Sequence, residues 1–235
     1  MSLLWECCVR LFEVPHWLLP SPTSIAKEGW KWRNVLLLHT GVTLYEVSLG
    51  FFLAATAGGV LAVLITWGGL LKRLLYPLII VMQSVPKVAL APLFLVWVGY
   101  GLASKILIVF LVSFFPIVVD TITGLQEVEP EALDLVRLLN ARKVQIFLKI
   151  RLPNSLPYMF SGLKVGITLA VVGAVIGEFV GSDRGLGYLL LSAAGMMNIR
   201  LMFVCILILA SLGIALFYAI ECLERLLIPW TRSRR

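Results

Sequence analysis

Charge is what this chain has least of: 14% of its 235 residues are Asp, Glu, Lys or Arg, where a soluble domain carries about a quarter. That shortfall excludes an ordinary water-soluble protein. Acidic residues are scarcer than basic ones, 13 against 20, for a net charge of +7. In a membrane protein such an excess belongs to cytoplasmic loops, so nucleic acid is not expected as a partner. Cysteine is sparse, and Cys7, Cys8, Cys205 and Cys222 show no metal-ligand spacing. Inert thiols are the plain reading, and no metal is expected. The two histidines, His16 and His39, stand alone, and no nucleophile motif arranges the serines, so no catalytic residue is assigned. The chain has no G-x-x-x-x-G-K-[ST] phosphate loop, which excludes a nucleotide hydrolase of that kind. Its opening, MSLLWECCVRLF, carries Glu6 and Arg10 and lacks a clean apolar stretch, so it does not read as a cleavable signal.

What the chain has instead is apolar length. Hydrophobic residues make up 60% of it, and they fall in runs that reach the ~20 residues needed to cross a bilayer. Val35 to Leu71 is the first, with Glu46 as its only charge. Leu74 to Val98 follows, interrupted by Pro77, Pro86 and Pro92 and carrying Lys87. Then come Lys105 to Gly124, Tyr158 to Gly181 and Leu201 to Leu227. The expectation is an all-α polytopic membrane protein with five spans. The stretch from Arg10 to Asn34 is too polar to span, and residues 1–34 read as an interfacial segment that suits Trp5, Trp17, Trp30 and Trp32. Residues 35–235 form the transmembrane domain. In its fourth span Gly173, Gly177 and Gly181 recur at four-residue steps, as on a helix face packed tightly against a neighbour.

Between the third and fourth spans lies the only long polar stretch, Glu129 to Pro157, inside a loop covering residues 126–157. Pro130 suits a first helical turn. Leu133, Val136 and Leu139, then Val144, Phe147 and Leu148, recur at three- and four-residue steps, which predicts two short amphipathic helices. Asn140 between them tolerates a left-handed backbone and can end one helix and begin the next. An amphipathic pair outside the bilayer has to dock onto something.

Five ionisable residues lie in or near the spans: Glu46, Lys87, Asp120, Lys164 and Glu178. Asp120 and Lys164 sit near helix ends and read as interfacial or as a structural pair. Lys87 and Glu178 either line a pathway, together with Gln83, or form structural ion pairs, each being a candidate partner for the other. The prolines at 77, 86 and 92 either break a helix towards a cavity or kink a packed one.

The polar stretch resembles the EAA loop of ATP-binding-cassette importer permeases, a cytoplasmic coupling segment. Anchored on Ile150, Leu152 and Pro153, the family's glycine falls on Asn140 and its Glu-Ala-Ala on Asp134, Leu135 and Val136. The C-terminal half matches, and the N-terminal half keeps only an acid. TLYEVSLGFFLA, SVPKVALAPLFLVWVGYGLASKI, FPIVVDTITGL, GLKVGITLAVVGAVIGEFVGSDRGLGYL and LERLLIPW are similar to the nitrate/sulfonate/taurine branch. The full family pattern has a sixth span before a segment like VPHWLLPSPTSI, of which Leu3 to Phe12 reads as a remnant.

The resemblance implies a permease homodimer in the bacterial inner membrane and two cytoplasmic ATPase subunits that hydrolyse the ATP. It also implies an external solute-binding protein, and no cofactor on this chain. Asp134, Asn140, Ala141, Val144, Phe147, Leu148, Ile150, Leu152 and Pro153 would form the coupling segment. The solute expected is small and polar or anionic, with a thiamine pyrimidine precursor or another vitamin-like compound as the alternative. Lys72, Arg73, the basic residues Arg137, Arg142, Lys143, Lys149 and Arg151, and the C-terminal arginines would then all be cytoplasmic, as the positive-inside rule expects. A self-sufficient secondary transporter or channel is the reading from another class.

Overall fold

The computed structural model describes residues 2–11 and 18–229. The expectations placed on His16, Trp17, the start of VPHWLLPSPTSI and the tail with Trp230, Arg232, Arg234 and Arg235 lie outside them. The described chain is helical, in the order α1 (Ser2–Leu11), α2 (Pro22–Lys31), α3 (Arg33–Trp67), α4 (Gly69–Ser84), α5 (Ala91–Val98), α6 (Leu102–Gln126), α7 (Pro130–Leu138), α8 (Lys143–Ile146), α9 (Leu152–Gly181), α10 (Leu186–Gly195) and α11 (Ile199–Leu227). Among the described residues, four helical stretches are long and apolar enough to cross a membrane: α3, α6, the continuous stretch Lys143–Gly181 and α11.

The second expected span departs from a straight rod. Helices α4 and α5 pass the length test only together with the short 3₁₀ segment Lys87–Leu90, and they are bent by 88° across the break at residues 85–86. The cause is local. Pro86 supplies no N–H and biases Val85 away from the helical region, and Val85 is extended at φ −70°, ψ 128°. Pro77, by contrast, stays inside α4, and Pro92 sits in the first turn of α5, where a proline costs nothing. Among the three prolines, only Pro86 breaks the chain.

The residues divide into two compact units. Unit 1 takes residues 1–49, 88–109 and 171–214. Its core gathers Ile25 of α2, Leu36 of α3, Leu186, Leu189 and Ala193 of α10, and Leu201, Val204 and Cys205 of α11, with Trp5 and Trp32 packed against it. The N-terminal segment therefore does more than lie at an interface. Ile25 is buried, and the Glu6 carboxylate accepts from both Thr23 N and Thr23 Oγ1 at the start of α2, filling the first-turn donors a helix leaves open.

Unit 2 takes residues 50–87, 110–170 and 215–235. Ala62, Ile65, Ile79, Phe115, Val118, Ile122 and Leu125 form its core, from α3, α4 and α6. Small residues bring α9 onto α6 here: a Cβ at Gly162 would lie 3.1 Å from the Ile117 Cα, and one at Gly124 would meet Tyr158 at 2.6 Å. Lys164 of α9 pairs with Glu224 of α11 and lies over the Phe217 ring at 5.9 Å, and Asp120 bonds to Ser161. Each of these charges at a helix end has its own partner.

Candidate functional site

Three places hold the residues singled out by sequence. The first is the polar stretch of unit 2. Helix α7 begins at Pro130, and α8 begins after Arg142, whose N–H donates to Gln145 Oε1 at 2.8 Å. Between them Asn140 is left-handed at φ 55°, and Ala141 N closes the turn on Val136 O at 3.0 Å. A π-type turn, Phe147–Arg151, then joins α8 to α9, with Leu152 N donating to Phe147 O. The second half is thus the first turns of a long helix rather than a free short one. Asn154 ties that start to the end of α6 through bonds to Gly124 O and Glu127 O at 3.2 and 2.7 Å.

The extra residue of the π turn shifts the phase of the side chains that follow it. Phe147, expected on the outer apolar stripe, is half-buried against Trp67, with ring centroids 5.1 Å apart. Leu133 and Val136 are also half-buried. The uncovered apolar set is Leu135, Leu138, Leu139, Val144 and Leu148, with Leu138 at 82% exposure. Asp134 and Asn140 share the uncovered side, whereas Ala141, Ile150, Leu152 and Pro153 are partly covered. Five uncovered aliphatic side chains within fourteen residues, flanked by Arg142, Lys143 and Lys149, are the kind of patch a monomer leaves for a partner.

The second place is the break in unit 2. Gln83 is exposed at the end of α4, and the Lys87 ammonium donates to its carbonyl at 3.1 Å while lying 4.9 Å from the Phe115 ring centroid. The ammonium caps a helix C-terminus, where free carbonyls favour a cation. Among the described residues it forms no ion pair with a carboxylate.

The third place is in unit 1, and sequence reasoning found only part of it. His39, Thr43 and Glu46 stand on one face of α3. Glu46, at 0% exposure, pairs with Lys105 of α6, and the Lys105 ammonium also donates to Ser182 Oγ at 2.9 Å. Lys105, which the sequence places at the start of the third apolar run, is buried. Glu178, at 1% exposure, accepts from Thr43 Oγ1 at 2.6 Å and from Gly187 N at 2.5 Å. Thr43 Oγ1 in turn accepts from Leu186 N at 2.8 Å, and His39 Nδ1 accepts from Gly185 N at 2.8 Å. That nitrogen also lies 3.0 Å from Gly185 O, but having accepted an N–H it carries no proton to give. Lys87 and Glu178, each a candidate partner for the other in sequence, are bonded elsewhere: Glu178 to Thr43 and Gly187 within unit 1, and Lys87 to the carbonyl at its own helix end.

The glycines here answer to sterics. Gly185 sits at φ 112°, and a Cβ on it would run into the Glu178 carboxylate. At Gly173 a Cβ would lie 3.1 Å from Val109 Cα, at Gly177 3.3 Å from the Lys105 side chain, and at Gly181 2.8 Å from Leu95. The recurrence every four residues brings α9 against α6 and α5. A cavity of about 910 Å³ opens beside this network, lined by Glu46, Lys105, Glu178 and Arg184 and by the rings of Tyr100 and Tyr188. The signal in sequence was a polar triplet, His39, Thr43 and Glu46, at helical spacing in an otherwise apolar run. Its partners lie far along the chain, so spacing alone could not name them.

The chain is similar to known proteins over nearly its whole length. A probable ABC transporter permease protein of Haemophilus influenzae is 37% identical, with 95% of this chain and 91% of that protein covered. The formylaminopyrimidine transport permease protein ThiX of Halalkalibacterium halodurans is 35% identical, covering 100% and 94%. Other relatives are named for riboflavin, aliphatic sulfonate and taurine transport. Among solved structures, a chain of the MetNI methionine ABC transporter, in an inward-facing conformation, shares the fold at a TM-score of 0.72 and 20% identity, covering 83% of this chain and 97% of that one. Residues 50–232 match the family described as the binding-protein-dependent transport system inner membrane component. With that match spanning most of its length and these relatives spanning nearly all of it, the chain belongs to the family of inner-membrane permease components of ABC transporters.

Proposed function

We propose that this chain is the permease subunit of an ATP-driven importer, working as a homodimer with two ATPase subunits and an external solute-binding protein. The observation that carries the reading is the segment Pro130–Pro153. Two helices are joined by a left-handed Asn140, with Leu135, Leu138, Leu139, Val144 and Leu148 left uncovered. In this reading the patch docks onto the ATPase and passes its motion to α9 without a joint, since α8 runs on through the π turn. ATP is bound and hydrolysed by the partner subunits, and this chain does no covalent chemistry. The basic rim supports a cytoplasmic position for the segment at the inner membrane, and the reading puts the C-terminus on the same side.

The broken pair α4/α5 supports a solute pathway at Gln83 and Lys87. A helix interrupted at membrane depth is tolerated where its freed backbone groups are covered by protein or face water. A lysine there with no carboxylate partner among the described residues suits a solute with an anionic group, as the relatives named for sulfonate and taurine transport would use. The ThiX and RibX relatives favour the second reading, a vitamin-like ring compound.

The test is co-purification of the chain with its ATPase, wild type against Leu138→Asp combined with Leu148→Asp. Both side chains are uncovered, so the fold is expected to stay intact. Each carboxylate would be buried unpaired on docking, at a cost of several kcal/mol. Wild type should retain the ATPase and the double variant should lose it; retention by both would end the reading. Uptake by proteoliposomes of taurine, methanesulfonate, nitrate, riboflavin and an aminopyrimidine then separates the two solute classes.

A further inference from the structure

The buried polar network of unit 1 has a use beyond satisfying its own charges. Three consecutive backbone N–H groups, those of Gly185, Leu186 and Gly187, are each taken by a different side chain: His39, Thr43 and Glu178. These are the donors that open α10, the ones a helix cannot satisfy within itself. The usual cap is one side chain from the residue just before the helix, and here Gly185 offers none. The helix instead borrows its cap from α3 and α9, at sequence separations of 146, 143 and 9 residues. A second tie holds the preceding loop: Lys105, paired with Glu46, donates to Ser182, and the Ser182 hydroxyl bonds to Arg184 O at 2.5 Å. Helix α10 is therefore held at its N-terminus by polar side chains and along its body by Leu186, Leu189 and Ala193 in the core that contains Cys205.

We infer that Glu178, acting with Thr43 and His39, is a positioning residue that pins the start of α10 and so fixes the wall of the adjacent cavity. Its two carboxylate oxygens are both spent, one on Thr43 and one on Gly187, and its side chain is covered. Tyr188, Leu191 and Ser192 of α10 line the cavity, so whatever moves the start of α10 moves them. A polar clamp adds little net stability over an apolar one, and its best-attested use is to fix a single register. That the cavity faces the solute rests on the importer reading; that the clamp fixes α10 does not.

The native thiols supply the measurement. Cys205 is buried in the core against α10, and Cys222 is exposed. Alkylation by N-ethylmaleimide of the full-length protein in liposomes, read peptide by peptide, compares Cys205 with Cys222 as internal standard. Thr43→Val, which removes the hydroxyl but keeps the shape, should raise the Cys205 rate at least tenfold, and Glu178→Gln should do the same. Thr43→Ser, which keeps the bond, should stay within twofold of wild type, and Lys164→Gln, a lost ion pair in unit 2, should leave Cys205 protected. Protection of Cys205 in both Thr43→Val and Glu178→Gln would overturn the inference. Equal exposure of Cys205 in Lys164→Gln or Thr43→Ser would overturn it too, because the effect would then be general loosening. Should Glu178→Gln fail to fold, Thr43→Val decides alone. A wild type that never binds an ATPase would sink the importer reading and leave this result standing.

Discussion

The segment Pro130–Pro153 and the cluster around Glu46 and Glu178 are both polar islands in an apolar chain, yet they are built in opposite ways. The first keeps its aliphatic side chains uncovered and its contacts local: Asn140 turns the chain, and Ala141 closes on Val136. The second buries its charges almost completely and draws on residues up to 146 positions apart. An uncovered apolar stripe contributes little to the stability of the chain that carries it and waits for a partner. A buried charged network has no such latitude, because every member left unpaired is penalised in full. Mutations should therefore separate the two regions by what they damage.

The sharpest separation comes from Lys105→Ala. Removing one partner of a buried ion pair strands the other, which costs about 3–5 kcal/mol, and unfolding of the helices in mixed detergent micelles should show a loss of that size. The double variant Glu46→Gln with Lys105→Met should recover most of it, since neither charge then remains; no recovery would mean the pair is not the reason for the loss. Gly185→Ala comes next. It forces a Cβ into the Glu178 carboxylate and holds alanine at φ 112°, a strain of about 1–3 kcal/mol. The same unfolding assay reads it, and a silent substitution would break the clamp geometry.

In the segment Pro130–Pro153 the backbone is the sensitive part. Asn140→Ala places an ordinary residue at φ 55° and should cost about 1–2 kcal/mol, whereas Asn140→Gly should be close to neutral. If both were neutral, the turn would not need its left-handed residue. The smallest effect belongs to Lys164→Gln. Its partner Glu224 is partly exposed, as is Lys164 itself, so about 1 kcal/mol or less is expected, within the error of many unfolding curves and visible only by direct comparison.

The same contrast explains what the sequence disclosed. Periodicity, Pro130 and Asn140 mark α7, its turn and α8 because those signals act between near neighbours. The apolar runs likewise marked the spans, whereas the three prolines at 77, 86 and 92 did not show by themselves that only Pro86 would break the helix. Phe147 shares the helical spacing of Val144 and Leu148, but it is half-buried because Trp67, on another helix, lies against it, a partner that spacing within the segment does not reveal. Lys105 stands at the start of the third apolar run, but its partner Glu46 belongs to another helix, so spacing does not pair the two. Glu178 stood out as an intramembrane acid, but its role as a cap for α10 depends on Gly185 and Gly187 approaching it across a loop. Charge in an apolar run shows that a partner exists and does not name it.

The central claim is that the uncovered segment, and not some other exposed surface of the chain, meets the ATPase. The direct measurement places a photo-crosslinking amino acid at Leu148 in one variant and at Met197 in another, both being uncovered, Met197 at 85%. Each is illuminated in membranes that also contain the ATPase. An adduct with the ATPase from position 148 and none from position 197 is the predicted result. An adduct from position 197 alone, or none from position 148 in a preparation where the ATPase co-purifies, would contradict the account.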